Sequence, residues 1–222
     1  DVVQFFPSID HRILRDILAR KLADADVLWL IDRILESGEG VLSEAYTMVY
    51  FPDDNLFAVN RPRGLPIGNL TSQFWGNVYL NVLDQFVKRS LHCKAFLRYV
   101  DDFLLFSDSK RELWAWKDAI RVSLGRLRLT LHERSSTVYP VTNGMPFLGF
   151  RVYPTHRRLK RRNGVAFARR YRKLRRAAAR GEVTLAEVDR RVQGWLAHAA
   201  HGDTYGLRRA LLKLPITLRR SP

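Results

Sequence analysis

Apolar residues recur at helical spacing over residues 9–21, where Ile13, Leu14, Ile17 and Leu18 share one face and Asp10 stands at the N-cap position. The same period returns at 27–35 through Leu28, Ile31, Ile34 and Leu35. A longer helix is predicted over 69–90, with Phe74, Val78, Leu80 and Leu83 turned inward, and another over 109–124 on Leu113, Trp116 and Ile120. Trp114 and Trp116 cannot share a face, so one of them is expected outside the core. Residues 39–60 carry glycine, Pro52-Asp53-Asp54-Asn55 and aromatic runs, which predict a hairpin or an irregular loop.

Strand patterns are shorter. Asp1 heads a brief apolar run ending at Pro7-Ser8, and Phe5 on that strand faces the core. Phe96 to Phe106 holds two apolar runs with Asp101-Asp102 between them, a β-hairpin carrying a carboxylate pair at its tip. Short strands are expected at 126–131, 137–141 and 147–153, completing a mixed sheet. From Gly164 the pattern is helical again, with Tyr171, Leu174 and Ala178 inward and Gly181 as the stop. Thr184 then caps a second helix with Glu187 at capping-box spacing, and a third runs from its cap Asp203 to Leu214, ended by Pro215. The sum is an α+β fold over residues 1–155 followed by a small helical domain over 156–222.

Charge sharpens that division. The net charge is +16, yet residues 1–150 hold 18 Lys/Arg against 18 Asp/Glu, while 151–222 hold 20 against 4. A basic excess confined to one third of the chain is the footprint of a polyanion. Its expected contacts are Arg158, Lys160, Arg161, Arg169, Arg172, Lys173 and Arg176. No long apolar face accompanies these charges, which argues against a membrane surface. No apolar run approaches the ~18 residues of a membrane span and no leader is visible, so a soluble, cytoplasmic protein is expected. The single cysteine, Cys93, excludes an internal disulfide, and the scattered histidines lack metal-ligand spacing. The chain opens on Asp1 without Met, which predicts that further residues precede it.

Two adjacent carboxylates repel and call for water or a cation, and a rigid tip bearing them suits Mg²⁺. The bland reading is a solvated Asp-Asp turn. A third acid, Asp1, heads a strand that the fold can bring alongside. Three acids around two Mg²⁺ ions suit in-line phosphoryl transfer. Asp10 and Asp108 read as caps or surface acids.

Tyr99-Val100-Asp101-Asp102 and the Asp1–Phe6 segment resemble motifs C and A of reverse transcriptases. Gly64-Leu65-Pro66-Ile67-Gly68-Asn69-Leu70-Thr71-Ser72-Gln73 resembles motif B, and Phe147-Leu148-Gly149-Phe150 resembles the primer-grip motif E. The four stand in the family's order and span most of the chain. The resemblance implies a polymerase palm over 1–155 and a basic thumb over 156–222, with the fingers region missing. It implies RNA-directed DNA synthesis with Asp1, Asp101 and Asp102 as catalytic acids. Two Mg²⁺ ions, with Mn²⁺ as a substitute, would be held by those acids and the carbonyl of Val2. Phe6 would act as the steric gate against a ribose 2′-OH, and Ile67, Gly68 and Gln73 would line the nucleotide. Phe147, Leu148 and Gly149 would form the primer grip. The partners implied are an RNA template, a DNA or RNA primer, dNTP and an accessory protein.

Ile67 stands where most of the family has Gln, and Gln73 follows Ser72, a pattern similar to the diversity-generating retroelement branch, whose copying is error-prone. An apolar side chain there loses a hydrogen bond to the nascent pair, which loosens geometric checking. Group II intron-type or other bacterial reverse transcriptases are the nearest alternative. Another class is a catalytically idle fragment that binds RNA through its basic third. One departure favours it: Ser135 occupies the place where motif D carries a Lys able to protonate departing pyrophosphate.

Overall fold

The computed structural model describes residues 1–212, which divide into two compact units, residues 1–138 and residues 139 onward. The division falls ahead of the strands expected to close the first domain. Those strands belong with the helices that follow them.

In the first unit the chain runs α1 (Phe5–Ser8), α2 (His11–Ala19), α3 (Ala25–Ser37), α4 (Leu70–Arg89), the hairpin β1 (Ala95–Tyr99) and β2 (Asp102–Phe106), then α5 (Lys110–Arg126). Each long helix except α4 starts on a side-chain cap. Asp10 accepts from Ile13 N, Asp24 from Asp26 N and Val27 N, and Ser109 from Glu112 N. The core forms around α4, whose Tyr79, Leu80, Leu83 and Val87 are fully buried with Ile9, Leu14 and Leu124. A buried phenol needs a partner, and Tyr79 Oη donates to Leu127 O at 2.7 Å. Residues 39–60 are irregular, with 3₁₀ turns at Ser43–Ala45 and Leu56–Asn60. Trp114 is exposed and Trp116 packs against the core.

Several expectations are corrected. The strand headed by Asp1 shrinks to one antiparallel bridge, Val2 to Leu131, flanked by Val3 N to Thr130 O and His132 N to Asp1 O. Gln4 then enters the left-handed region at φ 47 and Phe5–Ser8 coils into a helical turn, with Ser8 Oγ donating to Gln4 O. Phe5 is buried, but from a helix rather than a strand. The strand expected at 126–131 is absent because α5 runs through Arg126 and Arg128 turns the chain at φ 54. On α4 the inward stripe passes through Trp75, Gly76 and Tyr79, leaving Phe74 exposed.

The second unit holds β3 (Met145–Phe147), β4 (Phe150–Val152) and β5 (Arg157–Leu159) in one antiparallel sheet of sequential order. The run 147–153 was expected as one strand. It doubles back at Leu148-Gly149, both at positive φ (43 and 85), as a two-residue hairpin turn requires. No strand forms at 137–141, where Val141–Asn143 is a 3₁₀ turn. Both sheets are antiparallel, so the fold is α+β without the mixed sheet.

Helix α6 (Arg161–Ala179) starts ahead of the Gly164 at which the helical pattern is expected to begin, and α7 (Leu185–Ala199) starts on Thr184, which accepts from Glu187 N. Phe167, Tyr171 and Ala178 pack against Val188 and Val192, and the Trp195 ring stacks on Phe167 at 3.9 Å. Helix α8 (Tyr205–Leu212) follows Thr204 rather than Asp203. Thr204 Oγ1 donates to Ala199 O at 2.6 Å, while Asp203 N donates to Arg157 O. The expected stop at Leu214-Pro215 lies outside the described residues.

Candidate carboxylate site

The β1–β2 register closes at Tyr99 opposite Asp102, so Val100 and Asp101 alone make the turn. Val100 sits at φ 55. A β-branched residue in that region is crowded against its own backbone, at a cost of about 1–2 kcal/mol. Something must hold it, and Arg98 does. On the inward side of β1, Arg98 Nη1 donates to Val100 O at 2.7 Å and to Asn77 Oδ1 at 3.0 Å. Its Nε and Nη2 meet the two carboxylate oxygens of Asp84 at 2.7 and 2.6 Å. Asn77 and Asp84 both lie on α4, so one guanidinium ties the core helix to the tip.

Asp101 and Asp102 are half-buried, and neither forms a salt bridge among the described residues. Burial raises the Asp101 pKa above the ordinary carboxyl value. A bond from its own backbone N–H opposes that rise, and Asp102 beside it adds to it. Asp1 is held by its pairing with 130–132 and lies within electrostatic range of Asp102 and Asp101. Carboxylates and a peptide carbonyl such as that of buried Val2 are the donor types a hard cation takes. Among the described residues no three His, Cys, Asp or Glu side chains stand as a ready metal-binding group.

Phe6 and the Gly64–Gln73 segment are also neighbours. Residues 62–65 lie along 6–11, with His11 N to Pro62 O, Gly64 N to Ile9 O and Leu65 N to Phe6 O at 3.1, 2.8 and 3.0 Å. The buried His11 ring shares a 2.6 Å hydrogen bond with Gly64 O. Beyond this anchor Ile67 is 70% exposed, Gly68 turns at φ 103 in open space, and Gln73 faces outward from α4. The half-buried Phe6 ring lies 5.2 Å from that of Phe5.

The remaining expected residues lie in the second unit. Phe147, Leu148 and Gly149 form the β3–β4 corner, with Asn163 Nδ2 donating to Gly149 O. Arg158 lies on β5, with its guanidinium 5.7 Å from the Tyr153 ring, and Lys160 immediately precedes α6. Arg161, Arg169, Arg172, Lys173 and Arg176 are all exposed along α6.

Sequence reasoning missed Arg98, Asp84 and Asn77. The signal was an arginine inside an apolar strand, which must find a partner off its own strand. It also left Asp10 as a cap or surface acid, whereas Asp10 caps α2 from a buried position near Arg61 and Arg128. Asp54, equally buried, binds Arg61 at 3.3 Å and Arg128 more closely still. Ser135 is exposed in the turn after His132, whose N–H holds Asp1 O.

No protein-family model matches the chain. It is 25% identical to Protein YkfC of Escherichia coli (strain K12) across 68% of this chain, and the match spans 45% of that protein's length. No helix among the described residues is long and apolar enough to cross a membrane.

Proposed function

We propose that the chain is the palm and thumb portion of an RNA-directed DNA polymerase of the error-prone retroelement type. What supports this is the hairpin tip: Asp101 and Asp102, which form no salt bridge among the described residues, and Asp1, held within electrostatic range of them by its pairing with 130–132. In this reading the primer 3′-OH attacks the α-phosphate of a dNTP and pyrophosphate leaves. Bound at the three acids, two Mg²⁺ ions would lower the pKa of the attacking hydroxyl and neutralise the leaving group. The protein's own residues place the parts. Asp1, Asp101, Asp102 and Val2 O would hold the cations, and the Phe6 ring would crowd a 2′-OH. The open backbone at Gly68 would admit the nascent pair, and the α6 arginines would follow the phosphates and 2′-hydroxyls of the duplex.

Primer extension on an RNA template with Mg²⁺ and dNTPs tests this, with Asp101→Ala as control. Product that disappears in the control supports the polymerase, and errors opposite template adenine support the retroelement branch. Salt-sensitive RNA binding without extension would instead favour an idle RNA-binding chain. The exposed arginines of α6 give that reading its footing.

A further inference from the structure

We infer that Arg98 is a positioning residue for the carboxylate tip, and that Asp84 and Asn77 set its aim. This rests on the nucleotidyl-transfer reading. The turn must hold Val100 in a conformation that its branched side chain opposes, and only two residues join the strands there. Left alone, such a turn relaxes and carries Asp101 with it. Arg98 prevents this by donating to Val100 O, the carbonyl of the peptide whose nitrogen belongs to Asp101. The guanidinium is itself fixed at both of its edges. Asp84 takes two parallel bonds in the fork geometry that only arginine offers, and Asn77 Oδ1 receives Nη1.

Asn77 extends the connection. Its Nδ2 donates to Gln73 O one turn earlier on α4. A continuous hydrogen-bonded path therefore runs from the backbone of Gln73 through Asn77 and Arg98 to the peptide before Asp101. The end of α4 proposed to face the nucleotide and the turn proposed to hold the cations share one rigid support. Arg98 and Asp84 are mostly shielded from solvent, at 11% and 17% side-chain exposure, so competing water is scarce. Misplacing a reacting group by about 1 Å costs on the order of 100-fold in rate, so a small relaxation of the turn is enough to matter.

The experiment compares the full chain with Arg98→Gln, Arg98→Lys and Asn77→Ala. It measures kcat, dNTP KM, half-saturating Mg²⁺ and amide hydrogen exchange over 99–103. For Arg98→Gln we expect kcat to fall about 10- to 100-fold and half-saturating Mg²⁺ to rise. Exchange at the tip should quicken, while dNTP KM and RNA affinity stay within about threefold of wild type. Arg98→Lys keeps one bond to Val100 O but loses the fork to Asp84, and should fall between. Asn77→Ala removes an exposed contact, leaves the core intact and should reproduce the pattern more weakly. It stands in if Arg98→Gln does not fold. Wild-type kcat, Mg²⁺ dependence and tip exchange in both Arg98→Gln and Asn77→Ala would overturn the inference. A wild-type chain that extends no primer sinks the polymerase reading instead. The holding role of Arg98 then stands or falls on the exchange of 99–103 alone.

Discussion

The Phe5 ring rests on α4 at Gly76, where a Cβ would stand 3.1 Å from Phe5 Cε1 and 3.3 Å from Phe6 Cε1. The bare helix face at that point lets two aromatic rings, tilted at 59° to each other, approach the core helix closely. Gly76→Ala should gain about 1 kcal/mol in helix propensity and lose more to the forced movement of the rings. A net loss of about 1 kcal/mol in urea unfolding is expected and, on the polymerase proposal, a changed dNTP KM as Phe6 moves. Unaltered stability and KM would show that the rings have room to spare.

Asp54 is nearly sealed from solvent, holds Arg61 and Arg128, and accepts from Phe51 N at 2.9 Å. Removing one partner strands two guanidinium groups around a small pocket that Asp10 also lines. Asp54→Ala should lower unfolding free energy by about 3–5 kcal/mol. The irregular 39–60 segment should become the first region cleaved in limited proteolysis. Cleavage elsewhere, at unchanged stability, would remove this cluster from the account.

Asp101 has a raised pKa, chiefly through burial, so the folded chain keeps its proton to higher pH than the unfolded chain does. The stability this contributes is full below the ordinary carboxyl value and is lost as pH rises through the raised one. Asp101→Asn carries no charge at any pH. It should gain on wild type as pH rises from below the ordinary carboxyl range to above it, where the wild type loses that contribution. Denaturant unfolding at both ends of the range checks the sign. A parallel pH dependence in the two proteins would contradict it.

Along α6, Arg169, Arg172 and Arg176 are exposed. Their joint replacement by Gln should leave melting unchanged. It should flatten the slope of log K for RNA against log salt by up to about 2–3 units. An unchanged slope would move the polyanion contact to another face.

How much of this was legible depended on whether the controlling forces were local. Asp10 and Thr184 cap helices where side-chain chemistry alone places them, and the Phe96–Phe106 hairpin follows from its two apolar runs on either side of an acid pair. The strand at Asp1 failed because a left-handed Gln4 leaves no mark in the hydrophobic pattern. Phe74 was placed inside because an apolar residue near a helix start fits more than one stripe. The register was decided by Trp75 and Tyr79, which reach the core. At the candidate site the acids could be named from sequence. Their support could not, since the partners Asn77, Asp84 and Arg98 are linked only through the tertiary packing of α4 against the hairpin.

The pairing of Asp1–Val3 with 130–132 has a consequence in time. Helix α4 and the hairpin that follows it form from neighbours in the chain. Asp1, by contrast, reaches its place only by closing a loop that takes in almost all of the first unit. Loop closure of that span is entropically costly until the intervening helices have packed, so it belongs among the last events of folding. The Asp101–Asp102 tip should therefore exist before its third acid arrives. In pulsed hydrogen exchange during refolding, the Val3 amide should gain protection after those of α4, and simultaneous protection would contradict that order. A chain that stalls short of this step would be compact, with its core helix and hairpin in place, yet would leave Asp1 apart from the tip.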